Sequence, residues 1–145
     1  MPRLTRSDVG SWLLKSTRAP AEIDPGWLPG TDRELSRCVR RSYRLELVAP
    51  GQPVLLWVSG RVAPGVHAVG TVTSAPTDGG DDGPVVGVRL TRLADPLPRA
   101  LLLADPRTRD AEVLRMPAGS NPSWLSPEQH AAVLAELDAV PGAAR

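Results

Sequence analysis

The residues best suited to chemistry fall in three short runs. Lys15-Ser16 closes an apolar segment, Ser120-Asn121-Pro122 follows Gly119, and Arg37, Arg40, Arg41 and Arg44 crowd into eight residues. Asn carries a donor and an acceptor side by side, so Asn121 can read a polar edge bidentately or close an Asx turn in its own loop. Lys15 is the only lysine among 17 basic residues, which sets it apart from the codon bias that explains the many Arg. With Ser16 it offers a cation and a hydroxyl to a phosphate or a base edge; the alternative is a solvated strand end. The stretch 31–44 sets five Arg against Asp32 and Glu34, a local net charge of 5 − 2 = +3. Such a patch can grip two or three phosphates, or be a solvated face. Tyr43 adds a ring and a hydroxyl at its edge. Four Trp, at 12, 27, 57 and 124, supply large flat apolar surfaces in a chain without Phe, and each can stack a ring or fill the core.

Other chemistry finds no pattern. His67 and His130 lie far apart, without H-E-x-x-H spacing. Asp78, Asp81 and Asp82 lack the alternating ligands of a calcium loop. The lone Cys38 cannot close an internal disulfide, and its reading is a buried structural thiol in a reducing cytosol. No catalytic residue, metal or cofactor is assigned. No apolar h-region follows Arg3 and Arg6, and the longest apolar run is 54–58, so the expectation is a cytoplasmic protein with no membrane segment. At 145 residues the chain has the size of one domain. Its net charge of +1 excludes a generic polycation.

The elements that must position these groups are legible in outline. Residues 1–10 read as a flexible lead-in, 11–138 as one domain and 139–145 as a frayed tail. Trp12-Leu13-Leu14 reads as a buried strand and 19–30 as a Pro/Gly loop. Thr31-Asp32-Arg33-Glu34 is a capping box that predicts a helix, with Leu35, Cys38, Val39 and Ser42 on its inner face. Leu45 and Leu47 alternate as a short strand. A central strand spans 54–59, 60–65 is a turn, a long strand spans 66–73, and a return strand runs from Val86 through about Leu93 until Pro96 and Pro98 break it. The stretch 74–84 is the hairpin loop between them. One helical turn is expected over 99–104 and a last strand over 113–116. Ser126-Pro127-Glu128-Gln129 carries Ser at the N-cap, Pro at N1 and Gln at N3, and predicts a helix to about Asp138. Tight turns imply a largely antiparallel sheet, so the fold class is α+β: a small curved or closed β-barrel of five to six strands with two to three packed helices.

In order, these segments resemble an EVE domain of the PUA-like superfamily, which also holds the YTH and ASCH domains. Trp12-Leu13-Leu14-Lys15-Ser16 resembles the W-x-x-K-[ST] opening. Gly51-Gln52-Pro53-Val54-Leu55-Leu56-Trp57-Val58-Ser59-Gly60 resembles G-D-x-V-x-L-W-x-S-G, with Gln52 where Asp is usual. Residues 65–72 resemble G-x-x-A-x-G-x-V, 113–122 resemble I-L-R-x-P-x-G-[ST]-N-P, and 125–137 the closing helix. The resemblance implies a non-catalytic module that takes a flipped or single-stranded nucleotide, modified or not, of DNA or RNA. The implied base pocket is walled by Trp12 and Trp57 and edged by Lys15, Ser16, Ser59, Gly60, Ser120, Asn121 and Pro122. Backbone contacts fall to Arg37, Arg40, Arg41, Tyr43 and Arg44, with Trp27 as a lid. The loop 74–84 has no aromatic, whereas YTH readers place a cage Trp there. Two alternatives stand: a hydrolase of modified nucleosides like some ASCH domains, using Lys15 and an acid, and an interaction domain whose pocket has lapsed.

Overall fold

A computed structural model describes residues 3–139. In chain order its elements are β1 (Ser11–Ser16), α1 (Pro20–Ile23), β2 (Asp32–Cys38), β3 (Pro53–Val58), β4 (Gly65–Asp78), β5 (Pro84–Pro98), α2 (Arg99–Ala104), α3 (Glu112–Arg115), β6 (Ser123–Leu125) and α4 (Pro127–Ala139), with short 3-10 turns between them. The tail expected over 139–145 lies outside the described residues from 140 onward.

The six strands form one open sheet in the order β2-β5-β4-β3-β1-β6. It is mostly antiparallel, but β1 and β3 run parallel, Trp12 opposite Val54 through Ser16 opposite Val58. β3 is apolar on both faces because both are covered, as its uninterrupted Val54-Leu55-Leu56-Trp57-Val58 run requires. Strand alternation then sorts side chains to two cores. Trp12, Leu14, Val54 and Leu56 join Val86, Val88 and Leu90 on one face. Leu13, Leu55 and Trp57 join Val66, Leu97, Val113, Val133 and Leu137 on the other, under the helices. At Gly70 the strands come so close that a Cβ would stand 1.8 Å from the carbonyl oxygen of Arg89, so only glycine fits.

Five sequence expectations give way, one being the 74–84 hairpin loop, which narrows to 79–83 because β4 continues to Asp78 and β5 starts at Pro84. The helix predicted at Thr31 is the edge strand β2, paired with β5 from Asp32 opposite Thr91 to Cys38 opposite Val85. Its would-be cap hydroxyl donates instead to the Leu28 carbonyl, at 2.6 Å. Alternating burial along 32–38 suits an edge strand. Leu45 and Leu47 lie in a 3-10 turn, capped by the Ser42 hydroxyl. Residues 112–115 are helical, which tucks the adjacent Val113 and Leu114 into one core. Pro96 and Pro98 do not end β5, which runs to Pro98. The capping box at Ser126 forms reciprocally: Gln129 N donates to Ser126 Oγ at 3.1 Å, and Ser126 N to Gln129 Oε1 at 2.9 Å. Near the start, Leu4 N donates to the Tyr43 hydroxyl and Arg3 lies over the Tyr43 ring. No helix among the described residues is long and apolar enough to cross a membrane.

Candidate nucleic-acid interface

The sheet curls without closing. Three strands stand between β1 and β2 in the order, yet one side chain spans both. Asn121 Oδ1 accepts from Lys15 N at 3.1 Å, and Asn121 Nδ2 donates to the Cys38 carbonyl at 3.3 Å. Arg40 N donates to the Asn121 carbonyl at 2.8 Å. At this seam lies a cavity of about 570 Å³, the size of many small-ligand sites. The ends of β1 and β2 form two walls, and the 117–121 loop forms a third.

The lining is basic. It includes Lys15, Arg18, Arg37 and Arg40, and it contains no Asp or Glu. Lys15 and Arg37 are half-buried, whereas Arg18 and Arg40 are exposed. Lys15 Nζ donates to the Pro117 carbonyl at 3.2 Å. Burial lowers the Lys15 ammonium pKa, Glu112 opposes the shift, and Arg40 and Arg44 add to it. Arg37 is lowered too, first by burial and then by Arg18, although a guanidinium stays charged at neutral pH.

Behind the loop, Arg44 and Glu112 form a bidentate pair, with Nη2–Oε2 at 2.6 Å and Nη1–Oε1 at 2.8 Å. Ser123 Oγ donates to Glu112 Oε1 at 2.8 Å, and Arg44 Nη1 to the Pro122 carbonyl at 3.1 Å. Burial disfavours the Glu112 carboxylate, but the bonds from Arg44 and Ser123 outweigh it and hold its pKa below the ordinary value. The pair braces the loop that supplies Asn121.

Of the residues expected in the pocket, Lys15, Ser16, Ser59 and Asn121 line the cavity, as do Arg37 and Arg40 of the expected backbone contacts. Gly60, Ser120 and Pro122 do not. The two indole walls are a correction. Trp12 is 1% exposed and Trp57 3%, in cores on opposite faces of the sheet, so they cannot flank one ligand. Trp12 Nε1 donates to Gln52 Oε1 at 2.8 Å, and Gln52 also takes Ala49 N and donates to the Leu47 carbonyl. This Gln thus fastens an indole and a turn together. Trp27 is buried rather than a lid, its Nε1 donating to the Thr31 carbonyl. Trp124 packs partly buried against the Trp12 core.

Other roles shift as well. Arg44 is held by Glu112, Arg41 pairs with Asp78 away from the cavity, and the Tyr43 hydroxyl meets Leu4. Ser16 Oγ is spent on the Arg18 backbone, accepting from its N–H and donating to its carbonyl. Cys38 is exposed on the lining rather than buried. Arg18 was missed, although it stands in the same Lys15-Ser16-Thr17-Arg18 run. Among the described residues, no group of three or more His, Cys, Asp or Glu is placed to hold a metal.

No family model matches the chain, and no curated protein matches it in sequence. Solved structures do. A hypothetical protein from Leishmania major superposes with a TM-score of 0.68 at 17% identity, over 89% of this chain and 94% of that one. A Pseudomonas putida protein superposes with 0.63 at 19%, over 86% and 97%. Human THYN1, in complex with 5-methylcytosine-containing DNA, superposes with 0.59 at 14%, over 90% and 99%. At these identities the likeness is one of fold.

Proposed function

We propose that this chain, which shares its fold with human THYN1, is a nucleic-acid-binding module that receives one unpaired nucleotide, single-stranded or flipped out, in the seam cavity. The observation that carries the reading is the lining: four cations and no acid around a space sized for one nucleotide. The DNA complex of a protein with the same fold supports the same partner class. Arg18 and Arg40 at the rim suit backbone phosphates. Asn121 keeps one N–H and one lone pair beyond its backbone bonds, enough for a single contact to a base edge. Without an aromatic wall, the stacking worth about 1–3 kcal/mol per base is absent, so charge carries the affinity. The module is proposed to span 11–138.

The hydrolase alternative asks for a free acid beside Lys15. Glu112 is the carboxylate whose charge Lys15 senses, but Arg44 and Ser123 engage its oxygens. The test is anisotropy of labelled single-stranded and duplex oligonucleotides, with and without 5-methylcytosine or N6-methyladenine, over a salt series. The expected result is binding at low salt that weakens with a log–log slope of about −2 to −3, as for three or four neutralised phosphates. Absence of binding to every oligonucleotide at low salt overturns the proposal. Indole fluorescence is a poor reporter, since Trp12, Trp27 and Trp57 are sealed in the cores.

A further inference from the structure

Lys15 is the only lysine of the sequence, and it lines the seam cavity. Among the described residues it makes no ion pair; its Nζ donates to the neutral Pro117 carbonyl at 3.2 Å. Glu112 acts on it as a counter-charge, but the Glu112 oxygens are bonded by Arg44 and Ser123. Burial, aided by Arg40 and Arg44, outweighs Glu112 and lowers the ammonium pKa. A partly desolvated lysine beside other cations is the arrangement that turns an ammonium into a nucleophilic amine. One N–H of that amine can stay on the Pro117 carbonyl, which leaves the lone pair for an electrophile in the cavity.

The rest of the lining fits a nucleotide without its base. It holds no Trp, Tyr or His, and the wall that Lys15 touches, Pro117-Ala118-Gly119, is small and neutral. An intact base finds none of the stacking worth about 1–3 kcal/mol elsewhere, whereas a baseless sugar forfeits nothing and swings out at least cost. Its ring-opened form carries an aldehyde at C1′, an electrophile that amines take. Arg40 lines the same cavity, its charge acts on Lys15, and the backbone N–H of each bonds Asn121. Its guanidinium suits the phosphodiester flanking that sugar.

We propose that Lys15 captures the C1′ aldehyde of an abasic nucleotide as an imine, so that the unpaired nucleotide taken by the cavity is one that has lost its base. This rests on the nucleic-acid reading above and names its substrate. The ammonium first gives one proton to solvent. The Nζ lone pair then bonds C1′, and the carbonyl π pair moves to oxygen. That oxygen collects the two remaining amine hydrogens and leaves as water, giving C=N with no oxidant or reductant.

The experiment uses one labelled single strand in four forms. One carries an abasic site, one a tetrahydrofuran in its place without the aldehyde, one an intact cytosine, and one 5-formylcytosine, whose aldehyde sits on the base. Each is incubated with the native chain and sodium cyanoborohydride, which reduces an imine to a stable amine. Adducts are separated on denaturing gels and mapped by mass spectrometry. Lys15→Arg keeps the charge and removes the nucleophile, and its folding is checked by near-UV circular dichroism. The abasic strand is expected to give about tenfold more adduct than the other forms, mapped to Lys15, and Lys15→Arg to bring it down to their level. Anisotropy of the tetrahydrofuran strand should show affinity within about twofold in Lys15→Arg. The mapped site on the native chain decides even where the variant fails to fold. No adduct at Lys15 while the tetrahydrofuran strand binds overturns the imine and leaves the nucleic-acid reading standing. An adduct mapped to any other amine, or one that survives Lys15→Arg, overturns the assignment to Lys15. Equal adduct from the 5-formylcytosine strand overturns the baseless substrate. Neither adduct nor binding with any strand overturns both readings.

Discussion

The middle and the end of the same two strands do opposite work. Trp12 in β1 and Trp57 in β3 are sealed into separate cores, one on each face of the sheet. A few residues later Lys15, Ser16 and Ser59 open onto the seam. The aromatic bulk is committed to the cores, and the polar strand ends line the cavity. Stacking surface and charge therefore do not meet in one cleft. A Trp-rich sequence is not evidence of an aromatic pocket when the chain has no Phe to fill its core.

The comparison can be broken at either end. The largest effect is expected in the middle. Trp12→Ala should cost about 4 kcal/mol of folding stability, read as a lower urea midpoint with an unchanged m-value. Oligonucleotide affinity, measured where the variant is still folded, should stay within about twofold. Loss of affinity by a folded variant would erase the division between core and seam. Next comes the brace behind the loop. Glu112→Gln leaves Arg44 half-buried without its counter-charge and should cost roughly 3 kcal/mol. Glu112 has a folded pKa below its unfolded one, so its stabilisation is present above the ordinary glutamate range and is lost as pH falls through the lower folded value. Urea midpoints of the native chain should therefore fall more steeply than those of the variant between about pH 5 and 3, and parallel curves would refute the assignment.

Gln52→Leu strips partners from Trp12 Nε1, Ala49 N and the Leu47 carbonyl at once, and should cost about 2 kcal/mol by chemical denaturation. The smallest stability change belongs to the rim. Arg40→Gln should stay within about 0.5 kcal/mol of the native chain, while the salt dependence of single-strand binding becomes shallower by about 0.7 in log–log slope. An unchanged slope would remove Arg40 from the interface.

How far the sequence could be read follows from the range over which each signal acts. The two capping boxes make the point. Ser126 and Gln129 close on each other because an apolar-faced helix follows. Thr31 and Glu34 fit the same capping motif, but seven residues pair with β5, and that distant partner overrides the local preference. β1, β3 and β4 were legible because burial writes itself as apolar runs and alternation. Residues 112–115 were not, since Val113 and Leu114 fit either period in so short a segment. At the site, Lys15, Ser16 and Asn121 stood out by residue type as well as by motif, and Ser59 by motif resemblance, whereas Arg18 and Cys38 did not stand out as site residues. Nothing within ten residues of Cys38 says that its strand end will face β1 across a gap. That nearness is made by the curl of the whole sheet and sealed by one amide.

Parallel pairing of β1 with β3 has an outcome for change over time. Both chains leave the sheet in the same direction, so Thr17-Arg18 and Ser59 emerge side by side at one lip. A substitution at that lip alters the cavity rim without touching the indoles buried deeper in both strands. The architecture thus separates positions where a change reshapes the cavity from positions where a change unsettles the cores.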